Sequence, residues 1–224
     1  MINIKDQEEL LIAIGNALPK KIEVYAIGGT AMMLRGIKDS TLDIDLVFEK
    51  SAERELFIET ALKLRAMRSD VTLVYGVKEN TPEMLTFEDC RFDLFMKKII
   101  NSNFSDNMME RAKEVHEFGR NLVVKPADPQ DILIMKSVTS RAKDSEDIAT
   151  IINKVKIDWD IILREVTEQI KLGNERANLS LGEKLEDLNN RKVIHLPESV
   201  MDDLWRLLKK QVSDNKKRDK IKNQ

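Results

Sequence analysis

Residues 22–48 constrain this chain more than any other stretch. Ile22 to Ile27 is an apolar run suited to a buried strand, and it ends at the pair Gly28 and Gly29. Thr30 to Leu34 then reads as a short helix, and Leu42 to Phe48 as a second strand with two aspartates inside it. Successive strand residues point to opposite faces, so Asp43 and Asp45 share one face while Ile44, Leu46 and Phe48 share the other. Two unit charges roughly 5 Å apart repel by about 3 kcal/mol at an effective dielectric near 20. A bound divalent cation turns that repulsion into attraction, so the acidic face calls for one.

The rest of the chain supplies the elements to build around that strand. Asp6 to Leu18 has helical apolar spacing and stops at Pro19, and Ser51 is placed to cap a helix carrying Leu56, Ile58, Ala61, Leu62 and Leu64. Val71 to Val77, Met84 to Phe87 and Cys90 to Met96 read as strands. In the last of these the alternation sets Phe92, Leu94 and Met96 on one face and Arg91, Asp93 and Phe95 on the other, so a third carboxylate leaves an otherwise apolar strand. Leu122 to Lys125 makes one more strand before Pro126. Beyond it Asp128 and Pro129 open a series of helices: through about Ser140, then near Ser145–Lys154, Trp159–Leu172, Leu181–Asn190 and Ser199–Val212. The expected architecture is α/β: a mixed sheet flanked by helices over residues 1–126, then a helical C-terminal region over 127–224. The lysine-rich end, Lys209 to Gln224, has little to bury and is expected to fray.

Charge and cysteine usage narrow the function classes. Lys+Arg 37 against Asp+Glu 39 leaves a formal charge of -2, so no global basic field advertises nucleic acid, and any such contact has to be local. The single cysteine, Cys90, excludes an internal disulfide framework and reads as core. The beginning of the chain lacks a basic segment followed by a long apolar run, and no stretch approaches 18 uninterrupted apolar residues. The expectation is a cytoplasmic protein without a membrane partner. His116 and His195 stand alone, without His or Cys at ligand spacing, which gives zinc chemistry and histidine triads little support.

An Asp-x-Asp or a glycine pair alone has ordinary structural explanations: chance in an acidic chain, and a turn. The composite is rarer. It runs from Ile27 through Gly28, Gly29 and a spacer to Asp43-Ile44-Asp45-Leu46, with the distant Asp93 as third carboxylate, and it resembles the DNA polymerase β-like nucleotidyltransferase superfamily. It is similar in particular to small stand-alone prokaryotic members from toxin–antitoxin and abortive-infection systems, which carry a Lys- and Asp-rich helix after the sheet; Asp131 to Ile148 looks like that element.

This resemblance implies that Asp43, Asp45 and Asp93 bind Mg²⁺ (or Mn²⁺), that Gly28, Gly29 and Thr30 hold the triphosphate of an NTP, and that NMP passes to an acceptor hydroxyl with release of pyrophosphate. Two metals about 3.5–4 Å apart would clamp the in-line displacement, with Asp93 as candidate general base. Physical chemistry concurs on the glycines: they let backbone approach phosphate closely, and a helix start offers unpaired N–H groups.

Outside the motif, Arg35 reads either as a phosphate contact or as an ordinary salt-bridged arginine, and Lys136, inside an apolar helix, either reaches phosphate from a cleft or does not. Asp144 and Asp147 read as partners of Arg141 and Lys143 or as helix caps, and Thr41 as a residue that orients a carboxylate or merely favours a strand. The acceptor stays open among an RNA 3′ end such as that of tRNA, a protein hydroxyl and a small molecule. The rival from another class is a non-catalytic nucleotide- or partner-binding module, one half of a toxin–antitoxin pair with an antitoxin as partner.

Overall fold

The structure, a computed structural model, describes residues 1–87 and 90–222, with side chains described through residue 214. The chain divides into two units, one spanning Met1–Ile132 and the other beginning at Leu133.

The first unit opens with a two-residue strand, β1 (Ile2–Asn3), and helix α1 (Ile4–Ala17). Asn3 caps α1 by accepting from Asp6 N at 3.0 Å, while the Asp6 carboxylate accepts from Asn3 N. This reciprocal capping box starts the helix two residues before the apolar spacing does. Strand β2 (Ile22–Ala26), helix α2 (Gly28–Leu34), the short β3 (Ser40–Thr41) and β4 (Asp43–Phe48) follow. After them come α3 (Ser51–Lys63), β5 (Met67–Arg68), α4 (Thr72–Tyr75), β6 (Glu83–Phe87), β7 (Cys90–Met96) and the small hairpin β8 (Lys98–Ile99) with β9 (Ser102–Asn103). Helix α5 (Asp106–Arg111), β10 (His116–Phe118) and β11 (Leu122–Pro126) complete the unit.

Seven strands form one mixed sheet in the order β10-β11-β2-β4-β7-β6-β5. The β11–β2 and β4–β7 pairs are parallel, whereas β2 runs antiparallel to β4 and β7 to β6. The sheet is two-faced. Ile44, Leu46, Phe48, Phe92 and Leu94 are buried, and α3 covers this apolar side: Phe57 stands 5.5 Å from Phe48 and 6.0 Å from Phe92, ring centroid to centroid. Tilted and edge-on contacts of this kind add to simple area burial.

One expected strand is a helix. Val71 to Val77 alternates like a strand, yet the Asp70 carboxylate accepts from the Thr72 backbone and hydroxyl at 2.9 and 2.7 Å and turns the chain into α4. β5 takes the place beside β6, so the segment has no strand to pair with; none of the α4 residues is buried, and Leu73 is 84% exposed.

Helix α6 (Pro129–Ser137) carries the division between the units; Asp128 accepts from Gln130 N at 3.0 Å at its start. Then come α7 (Ala142–Lys154), α8 (Trp159–Lys171), α9 (Ala177–Asn190) and α10 (Glu198–Lys222). Asp131 to Ile148 is thus not one helix, since residues 138–141 separate α6 from α7. The second unit buries Ile162, Val166, Leu181, Leu185, Leu188 and Leu204. Its lysine-rich end, expected to fray, continues α10 to Lys222, in keeping with the good helix propensity of Lys and Arg. Residues 223–224 lie outside the described residues. Among the described residues no helix is long and apolar enough to cross a membrane.

Candidate active site

The parallel ladder between β4 and β7 sets the site. Its register pairs Asp43 with Arg91 and Asp45 with Asp93, so the face opposite the apolar core carries three carboxylates and a guanidinium on adjacent positions. Oxygens of Asp43, Asp45 and Asp93 all lie within 4.8 Å of one another.

The glycine turn meets these carboxylates directly. Gly28 adopts φ +57, and a Cβ there would stand 2.6 Å from Asp45 Oδ2; at Gly29 it would meet the Thr41 hydroxyl at 2.2 Å. Both positions are therefore closed to any side chain, one by conformation and contact, the other by contact. Ile27 N donates to Asp45 O at 3.2 Å, fixing the end of the turn to β4. Thr30 adds a second tie: its wholly buried hydroxyl accepts from Asp45 N at 2.8 Å and donates to Asp43 O at 3.3 Å. That hydroxyl is engaged on both sides inside the protein.

Two residues that sequence reasoning gave no role complete the cluster. Arg91 donates to Asp43 Oδ2 and to Asp93 Oδ2, the latter at 3.0 Å. Tyr75, from α4, donates its phenol to Asp93 Oδ2 at 2.5 Å, with its ring edge-on to Phe95 at 6.5 Å. Arg91 was legible in principle, because Arg91-x-Asp93 mirrors Asp43-x-Asp45 on the facing strand. Tyr75 carried no such signal, since its segment reads as a strand.

Asp93 is the most desolvated of the three. Burial pushes its pKa above the ordinary carboxylate value, while the Tyr75 hydrogen bond and the Arg91 charge pull the other way. Its Oδ1 is buried without a hydrogen-bond partner among the described residues. The Tyr75 phenol is raised by burial first and then by the charges of Asp93 and Asp45, so it stays a neutral donor. Cys90 is buried and its thiol is pushed up to about 12, chiefly by that burial, which suits a core thiol and not a nucleophile.

Arg35 and Lys136 sit in other surroundings. Arg35 donates from Nε to Ala127 O at 2.7 Å, from Nη2 to Pro126 O at 3.0 Å and from Nη1 to Glu114 at 2.9 Å. Lys136, in the second unit, is buried between Asp144 at 2.8 Å and Asp147 at 2.7 Å, with Arg141 also on Asp144. Burial opposes ionisation of Asp144, yet Lys136, Arg141 and Thr139 hold its pKa down at about 2. The carboxylates of Asp43, Asp45 and Asp93, with oxygens within 4.8 Å of one another and Asp93 Oδ1 still unpartnered among the described residues, fit a hard divalent cation such as Mg²⁺ or Mn²⁺.

The glycine turn, the paired aspartate strands and the mixed sheet belong to a nucleotidyltransferase, a transferase enzyme. More narrowly, the chain belongs to the family described as "Nucleotidyltransferase of unknown function (DUF6036)", whose model matches residues 7–191. Among solved structures it is similar to a chain from the crystal structure of ANT(2")-Ia in complex with adenylyl-2"-tobramycin, with TM-score 0.45 and 15% identity over 81% of this chain and 98% of that one. No curated protein matches the chain.

Proposed function

We propose that the protein transfers NMP from an NTP to an acceptor hydroxyl, releasing pyrophosphate, at the face formed by Asp43, Asp45 and Asp93. The observation that carries this reading is the β4–β7 register, which brings carboxylates from two strands within 4.8 Å of one another beside a glycine turn no side chain can enter.

Asp43, Asp45 and Asp93 would hold Mg²⁺ or Mn²⁺. When bound, the cation supplies neutralisation of phosphate charge and polarisation at the α-phosphorus. The chain's own part is positional and electrostatic. Gly28 and Gly29 bring the backbone of the turn close against Asp45 and Thr41, and the first N–H groups of α2, Thr30 N among them, would be the donors for the triphosphate. Asp93, kept above the usual carboxylate range by burial, is the carboxylate best suited to accept a proton from the attacking hydroxyl. Arg35 and Lys136 are left out of this scheme, because their donors are taken up by carbonyls and carboxylates of their own units.

The reaction belongs in the cytoplasm on this reading, where NTP is abundant and Cys90 stays a free thiol. Incubation with radiolabelled NTPs, Mg²⁺ or Mn²⁺ and a cell extract tests the proposal. Label should appear in a product, and its identity as RNA, protein or small molecule names the acceptor. Transfer that is metal-independent, or undiminished in Asp43→Ala, refutes the scheme. A small protein that co-purifies and suppresses transfer would identify an antitoxin partner.

A further inference from the structure

We infer that Arg91 is the resident counter-ion of the acidic site, holding the Asp43 and Asp93 carboxylates that a divalent cation needs and giving them up when one enters. This inference rests on the metal-binding reading above and names how that binding is controlled.

The geometry of competition is direct. Arg91 Nη2 bonds Asp43 Oδ2 and Asp93 Oδ2, two of the carboxylates whose oxygens lie within 4.8 Å. A guanidinium and a divalent ion repel strongly when they share the same carboxylates, so each weakens the hold of the other. Without any cation, three carboxylates on adjacent positions would strain the central strands. Arg91 relieves that strain while the metal is away.

Arg91 is less fully paired than two other half-buried arginines, Arg35 and Arg111. Arg35 spends all three guanidinium nitrogens, on two carbonyls and Glu114. Arg111 fixes Nε and Nη2 on the Asp131 carboxylate. Arg91, like Arg54, has a buried Nε with no acceptor among the described residues, so its present position leaves a donor unsatisfied. A quarter of its side chain reaches solvent, which gives the guanidinium somewhere to turn.

Mn²⁺ titration of the full chain by calorimetry, with thermal melts with and without the ion, tests the inference. Arg91→Met is expected to bind Mn²⁺ at least ten-fold more tightly than the unaltered protein, to melt lower without metal and to recover when Mn²⁺ is added. Arg35→Met, which removes an arginine outside the cluster, should leave Mn²⁺ affinity where it was. Should Arg91→Met fail to fold, Arg91→Lys keeps the charge but loses the fork, and several-fold tighter binding is expected of it. Binding that is equal or weaker in the Arg91 variants, with the unaltered protein still taking up Mn²⁺, overturns the counter-ion role and leaves the metal site standing. Absence of Mn²⁺ binding in every protein overturns both.

Discussion

Asp45 and Asp93 are register partners across the parallel β4–β7 ladder, two carboxylates from strands 48 residues apart placed side by side on one face. Such a pair carries a cost in stability. Replacing Asp45 by Asn should therefore move two observables in opposite directions. Relief of repulsion of about 1 kcal/mol raises the melting temperature by roughly 2–4 °C, while nucleotide transfer falls by on the order of 100-fold or more. A melting temperature that drops instead would show that Asp45 is held by the fold and not strained by it.

Thr30 ties the glycine turn to β4 through Asp45 N and Asp43 O. Thr30→Val leaves the Asp45 N–H without its acceptor and is expected to cost about 1–3 kcal/mol, whereas Thr30→Ser retains the bond. Chemical denaturation of the two variants separates the cases.

At Gly28 both the positive φ and the 2.6 Å approach to Asp45 Oδ2 oppose a side chain. Gly28→Ala is expected to cost about 1–2 kcal/mol from conformation alone, and further from displacing the carboxylate. Activity should fall by more than the stability change explains, and this shows as a lower kcat at temperatures where the variant is fully folded.

Arg35 braces the Pro126 and Ala127 carbonyls. Arg35→Ala should lower stability by about 1–3 kcal/mol and leave KM for NTP unchanged. A raised KM with unaltered melting would return Arg35 to the phosphates.

In the second unit, the Asp144 pKa lies at about 2, below the ordinary carboxylate value of about 3.9. A depressed carboxylate stabilises the fold fully above its unfolded value and loses that contribution as pH falls through the folded one. Unfolding followed between pH 4 and pH 2 should show the unaltered protein losing about 2 kcal/mol that Asp144→Asn does not lose.

Much of this architecture could be read from residues alone, for identifiable reasons. Strand alternation reports faces, so Asp43 and Asp45 on one side of β4, and Asp93 beside Arg91 on β7, were visible without coordinates. What alternation does not report is register: nothing local says that Asp93, and not Arg91, lies against Asp45. Short-range hydrogen bonding also overrides pattern, as where Asp70 turns a strand-like run into α4 and delivers Tyr75 to Asp93. Side-chain partners formed across long stretches of chain were equally hidden; Arg35 finds Ala127 O 92 residues away, and no spacing rule announces it. Lys136 looked odd in an apolar helix because its counter-charges lie on the next helix.

β4 is the fourth of seven strands, with three neighbours on each side. Local opening of a sheet begins at its rims, here His116–Phe118 and Met67–Arg68, and reaches the centre last. The spacing of the aspartates is thereby insulated from peripheral breathing, and a heated sample should keep working until the whole sheet lets go at once.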